Sequence, residues 1–215
     1  LLQKMKIYYE KEGCPKGVSP DKCGTVYTQD AFMLWLVGLY REIEGDSESL
    51  QDALSLYQDS YRVYNEQYAG RFGTSAPSYV TEDIVRVAKA LGRTDVASQY
   101  IGKAGASGKT LDNLANKMGE VVLFHGNGES PFKRELRFNG RMPDGYVMSM
   151  TVPRFQAVRP RIKYAQVSAA GRSAKTELAE PVTQIALKNF DYKLPAIKAR
   201  TVARAIIKYA ATKGA

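Results

Sequence analysis

The chain has one histidine and two cysteines in 215 residues, and that scarcity removes several classes of chemistry. With His125 as the sole imidazole there is no H-E-x-x-H zinc helix and no multi-histidine metal centre. Ser130, in GNGESP, stands outside G-x-S-x-G and has no strand-turn-helix around it. The carboxylates of the C-terminal part, Glu135, Asp144, Glu177, Glu180 and Asp191, are scattered. Glu177 and Glu180 alone are close in sequence, and they read as flanking a helix start, not as an acid and base pair. No apolar run approaches the roughly 18 to 20 residues of a membrane-spanning helix; the longest sits in AFMLWLVGLY. The opening LLQKMKIYYEKEG lacks the apolar core and cleavage site of a signal peptide. The expectation is a processed or truncated form of a longer protein, in which an upstream signal or lipid anchor could have stood. No catalytic, cofactor-binding or metal-binding residue is assigned.

The two cysteines, Cys14 and Cys23, lie in GCPKGVSPDKCG. Glycine and proline on both sides suggest a tight loop able to bring the sulfurs together. A pair at this spacing with no further Cys and a distant His is not a zinc site. Disulfide and free thiols both remain open; a disulfide would imply an oxidising compartment such as a bacterial periplasm.

One motif points to an enzyme. GASGKT, residues 105–110, ends like a nucleotide-binding loop, which requires G-x-x-x-x-G-K-[ST] so that glycines at both ends let backbone N–H groups wrap phosphates. The first glycine should stand at 103, where the chain has Lys103; Gly102 and Gly105 are both out of place. A strand should precede the loop, yet the pattern before it is helical. GKAGASGK reads as a lysine-bearing connector, and a nucleotide-dependent enzyme acting through Lys109 ranks last among the functional readings.

Composition is that of an ordinary globular protein, 44% apolar and 25% charged. The net charge of +9 is uneven: residues 131–215 carry 17 Lys and Arg against 5 Asp and Glu, and residues 1–130 carry 14 against 17. Such a basic half suits nucleic acid, anionic lipid or an acidic protein face. Arg200, Arg204 and Lys208 form an i, i+4 row able to follow an anionic surface. Without an aromatic RNA-binding strand motif beside them, nucleic acid ranks behind an acidic protein or anionic lipid.

Periodicity predicts an α+β protein. Phe32, Trp35, Leu36, Leu39, Tyr40 and Ile43 mark a helix over residues 28–44, ended by Gly45-Asp46. Leu50, Ala53, Leu54, Tyr57, Tyr61, Tyr64 and Tyr68 mark a second, antiparallel to the first. The tyrosines read as core packing with hydroxyls at the rim. After the linker RFGTSAPSY come a helix opened by Thr81 and closed at Gly92, a short one over residues 95–102, and another over 111–118. Beyond Gly119 the texture changes to GEVVLFHGNG, FKRELRFN and YVMSMTVP, three neighbouring antiparallel strands. RIKYAQVSAAG makes a fourth, with SAKTELA as a short extension. Two helices close the chain, over residues 181–190 and 194–211, the last with Ile197, Val202, Ala205, Ile206 and Tyr209 inside. The expected division is residues 1–118, helical, and 119–215, basic and β-rich.

The first helix pair resembles a tetratricopeptide repeat, a helix-turn-helix unit of protein-binding arrays, through Trp35, Gly38, Tyr40, Ala53 and Tyr57. It departs where Gly38 to Tyr40 is one residue short and where EGDSESLQDA lengthens the turn. Through LYREIEGD…DALSLYQDSYRVY, GEVVLFHGNGESPFKRE and KLPAIKARTVARAIIKYA, the chain resembles an uncharacterised family of bacterial envelope proteins, many of them lipoproteins. Degenerate tetratricopeptide-like helices precede a β-rich region in that family. The resemblance implies a periplasmic setting, with possible anchoring at the outer membrane, and a non-catalytic structural or accessory role among other envelope proteins. Trp35, Tyr57 and Tyr61 on the helices, and Arg200, Arg204 and Lys208, are the candidate partner-binding residues.

Overall fold

A computed structural model describes residues 29–103, 121–169 and 171–213. The Cys14 and Cys23 segment, GASGKT with Lys109, the helix expected over 111–118 and the boundary at Gly119 lie outside them. The fold class is α+β: helices lead, two small antiparallel sheets follow, and a long helix closes the chain. The described residues form two units that interleave in sequence, one of residues 29–103, 121–127 and 162–181, the other of 128–161 and 182–213. A single boundary was expected; instead the chain leaves the helical unit and returns to it.

In the helical unit, α1 (Ala31–Glu44) opens on Asp30, whose carboxylate accepts from the Met33 N–H at 2.8 Å. It ends at Gly45, whose φ of 77° is left-handed and so favours glycine. Asp46 then caps α2 (Ser47–Val63), accepting from the Ser49 N–H at 2.9 Å and its hydroxyl at 2.6 Å. Two residues thus end one helix and start the next, as an antiparallel pair requires. Ala31, Leu34, Trp35 and Gly38 of α1 face Ala53, Leu54, Tyr57 and Ser60 of α2, all buried. Gly38 is where the helices come closest: a Cβ there would stand 2.7 Å from Cε1 of the fully buried Tyr57.

After α2 the chain widens into one π turn, Tyr64–Tyr68, and then α3 (Ala69–Phe72). The cause is legible in the spacing of Tyr64, Tyr68 and Phe72. Steps of four drift about 40° past a full α-turn each time, and a turn holding more residues corrects the drift. All three rings stay buried, in edge-to-face contacts of 5.1 and 5.2 Å.

The next helix, α4 (Ser78–Ala90), starts three residues before the expected Thr81. Its local cap, Pro77, offers no side chain, and the Glu177 carboxylate supplies the cap instead, accepting from the N–H and hydroxyl of Ser78. Further along the same returning segment, Tyr64 donates to the Ala179 carbonyl at 2.9 Å and Tyr68 to the Glu180 carboxylate at 3.1 Å. Glu177 and Glu180 therefore hold the segment onto the helices. A short helix, α5 (Thr94–Ile101), follows α4.

Residues 121–131 are not a strand. Phe124 lies 6.3 Å from the Phe32 ring and 6.2 Å from Trp35, so the segment is held by side chains, not by a ladder. The sheets are two separate hairpins, not one sheet. In the basic unit, β1 (Phe132–Arg141) pairs with β2 (Val147–Gln156) from Phe132↔Gln156 to Arg141↔Val147. In the helical unit, β3 (Gln166–Ala169) pairs with β4 (Arg172–Lys175).

The two expected closing helices are one, α6 (Val182–Lys213), with Pro195 inside it. Proline removes one backbone donor, but packing at both ends holds the helix together across that site. Phe190 meets Phe155 at 4.4 Å near one end of β2, and Tyr209 meets Tyr146 at 5.2 Å beside the other. Nineteen helical rises and nine strand rises both come to about 30 Å, so α6 runs antiparallel to β2 in matched length. At the far end Asp144, in the hairpin turn, accepts from Tyr209 at 2.8 Å and pairs with Lys213 at 2.5 Å. Val202 and Ile206, expected inside, are exposed. Two strands about 5 Å apart cover a narrow stripe of a helix, here the one holding the buried Ala205.

Two outcomes follow from this packing. Gly38→Ala should destabilise the helical unit by about 1–3 kcal/mol, read as a lower urea midpoint by Trp35 fluorescence. The hydrogen bond and charge of Lys213, with the Tyr146 N–H and the Tyr209 hydroxyl, lower the Asp144 pKa to about 2. Because the folded value lies below the ordinary one of about 3.9, this anchor is fully present above that ordinary value and is lost as pH falls through about 2. NMR titration should find that low midpoint, and Lys213→Met should move it up toward about 4.

Candidate interaction surfaces

Glu42, Tyr57, Asp83 and Arg86 of the helical unit meet Trp35 in one largely buried cluster. Trp35 donates its indole N–H to Asp83 Oδ2 at 2.7 Å. Arg86 donates to Asp83 Oδ1 at 2.6 Å and to both oxygens of Glu42, the Oε2 contact being 3.1 Å. Glu42 Oε2 accepts from the Tyr57 hydroxyl at 2.7 Å. Helix periodicity places these groups: Asp83 falls between Val80, Ile84 and Val87 on the apolar face of α4, and Arg86 stands one turn on. Burial pushes the Tyr57 phenol far above its usual range, and the charges of Asp83 and Glu42 add to the shift. Tyr79 closes over Trp35 at a ring distance of 4.6 Å.

This arrangement joins α1, α2 and α4, and it settles the position of two candidate partner-binding residues. Trp35 is 5% exposed and Tyr57 0%. Neither presents a surface to a partner, because the indole N–H and the phenol are the polar ends by which those rings anchor in the core. Tyr40 and Ile43, expected on the apolar stripe of the first helix, are 63% and 76% exposed, because the buried face is the one through Ala31, Leu34, Trp35 and Gly38.

Tyr61 is different. It is half-buried beside a cleft of about 460 Å³ lined by Gln58, Asp59, Tyr61, Arg62, Asn65, Glu66 and Tyr100. Its ring meets Tyr100 edge-to-face at 5.3 Å, and the Lys103 ammonium lies 4.8 Å from the Tyr100 centroid and 5.3 Å from that of Tyr61. Arg62 sits between Asp59 at 2.9 Å and Glu66 at 3.4 Å. The cleft is thus lined by two aromatic rings together with side chains of both signs of charge. Tyr100 and Lys103 are not visible as members of this site from sequence, since α5 brings them to α2 only in the fold.

In the basic unit, Arg200, Arg204 and Lys208 are exposed, as expected, and pair with no described residue. Val202, Ile206 and Ile207 are exposed among them, at 45%, 55% and 66%. The β1–β2 register puts Phe132, Leu136 and Phe138 on one face, each more than two-fifths exposed.

Among the described residues, no group of three or more His, Cys, Asp and Glu could hold a metal ion, and no helix is long and apolar enough to cross a membrane. No protein-family model, curated protein or solved structure matches the chain.

Arg86→Met leaves two carboxylates in the core without their shared cation and should cost about 3–5 kcal/mol. The additional change Glu42→Gln should recover part of that loss. Urea unfolding followed at Trp35, which sits on the cluster, reads both.

Proposed function

We propose that this protein is a non-catalytic accessory subunit of a bacterial cell-envelope assembly, and that it docks another protein at the Tyr61–Tyr100 cleft. The observation that carries the reading is the contrast within the helical unit. Trp35, Tyr57, Glu42, Asp83 and Arg86 are committed to one another in the core, whereas Tyr61, Tyr100 and Arg62 stand at an open cleft. Tyrosine and arginine flanked by mixed charge are the residues that dominate protein–protein interfaces. The envelope setting rests on the resemblance of LYREIEGD…DALSLYQDSYRVY, GEVVLFHGNGESPFKRE and KLPAIKARTVARAIIKYA to envelope lipoproteins, and a periplasmic location follows from that setting.

A photo-crosslinking amino acid at position 61 of the full-length protein should capture one discrete envelope protein. Tyr61→Ala with Tyr100→Ala should reduce recovery of that partner by about tenfold, matching the more than 1 kcal/mol of a hot-spot residue, with the thermal unfolding midpoint little changed because both rings are half-exposed. Undiminished recovery from the double variant would remove the cleft from the proposal.

A further inference from the structure

α6 carries an asymmetry that packing on the hairpin leaves unexplained. After Asp191 the helix has no acidic residue through Lys213, and over that stretch it carries Lys193, Lys198, Arg200, Arg204, Lys208 and Lys213. The stretch spans about 33 Å, so charge of one sign runs the length of a helix. Lys213 is tied to Asp144, while Arg200, Arg204 and Lys208 face solvent. At 100° per residue these three cations fill one arc of the helix, and three exposed aliphatic side chains fill another that runs from Ile207, beside Arg200, to Ile206 and Val202 on the far side, Ile206 and Ile207 being 55% and 66% exposed. Between Lys208 and Val202 lies the third arc, where Ala205 is buried and Thr201 and Tyr209 are half-buried. The helix is therefore apolar twice over: one stripe is covered by the hairpin and one is left in water, largely across the helix from the cations.

The kind of surface that satisfies both features at once can be argued from chemistry. A nucleic-acid backbone would take up the cations but offers the aliphatic side chains nothing. A folded protein face presents mixed charge in most places, as the Tyr61 cleft does, and would call for some acidic residues in return. An anionic lipid surface presents one sign of charge over an unlimited area, with hydrocarbon directly beneath it. It accepts isoleucine and valine side chains without any need for shape complementarity, while Lys and Arg keep their heads at the phosphate level. We propose that the C-terminal part of α6 is a membrane-surface helix, lying in the plane of an anionic bilayer with Val202, Ile206 and Ile207 in the acyl boundary and Arg200, Arg204 and Lys208 on the headgroups. This surface belongs to the basic unit and is independent of the Tyr61 cleft.

The test is co-sedimentation of the full-length protein with vesicles of phosphatidylcholine and phosphatidylglycerol, compared with phosphatidylcholine alone. Binding should require the anionic lipid and should weaken by about tenfold when salt shortens the screening length from about 14 to about 6 Å. The triple change R200E/R204E/K208E should abolish it, and R200K/R204K should retain it, which controls for folding. Ile206→Ser with Ile207→Ser, on a solvent-exposed face, should lower binding several-fold without altering its salt dependence. Equal binding by the serine variant would show that nothing enters the acyl boundary and would overturn the inference. So would full binding by the charge-reversed variant, or no binding by the wild-type protein. Tighter binding to soluble polyglutamate than to the vesicles, insensitive to the two serine changes, would overturn it in favour of an acidic protein. None of these results bears on crosslinking at Tyr61, so the two readings stand or fall separately.

Discussion

Arg86 is the residue on which the helical unit depends. One guanidinium bridges Glu42 on α1 and Asp83 on its own helix, and through those carboxylates it fixes the indole of Trp35 and the phenol of Tyr57. A planar group with several fixed donors is suited to two carboxylates at once, which a lysine would hold less specifically. A buried cluster of this kind is poor proof of added stability, since desolvating three charges is costly. Its effect is on specificity: an α1–α4 packing that misplaced any one member would strand a charge in the core.

That cluster also explains which parts of the candidate surface were legible in the sequence. The stripe of α2 was readable because period and burial agree there, and Gly45-Asp46 is a local punctuation mark; in α1 the helix was readable but its inner face was not, since the buried positions are Ala31, Leu34, Trp35 and Gly38 while Tyr40 and Ile43 are exposed. Tyr61 was readable as a member of a tyrosine stripe, but not its separation from Tyr57, because hydrophobic spacing does not distinguish a ring that finds Glu42 from one that meets Tyr100. Asp83 carried a signal: an acid at core spacing between Val80, Ile84 and Val87 has to find a cation. A helix start at Thr81 would place Asp83 in the first turn, where an acid needs no such partner; the start at Ser78 places it inside.

The β-rich part was legible as strands and turns but not as a layout. β1 and β2 alternate and are joined through Pro143-Asp144-Gly145, a local signal. GEVVLFHGNG has the composition of a buried strand, yet Phe124 packs on Trp35 and Phe32 and the backbone of residues 121–128 forms no ladder. Pro195 suited the first turn of a separate last helix, yet the helix runs through it, held on either side by Phe190 on Phe155 and Tyr209 on Tyr146. The exposure of Val202 and Ile206 could not be read from their spacing, since a helical stripe says which side chains lie together and not whether anything covers them.

The cap on α4 has a consequence for how the protein is made. Glu177 and Ser78 are 99 residues apart, and Tyr64 reaches Ala179 across 115, so the whole chain of the β1–β2 hairpin is synthesised between the helices and the segment that completes them. A ribosome exposes α1 through α5 long before it delivers their last carboxylate and carbonyl partners. Contacts so distant in sequence form slowly, and the helical unit must wait with its Ser78 end uncapped until residues 177–180 arrive. The order of synthesis and the order of completion are therefore different: the helical unit cannot finish until the β1–β2 hairpin of the other has been built.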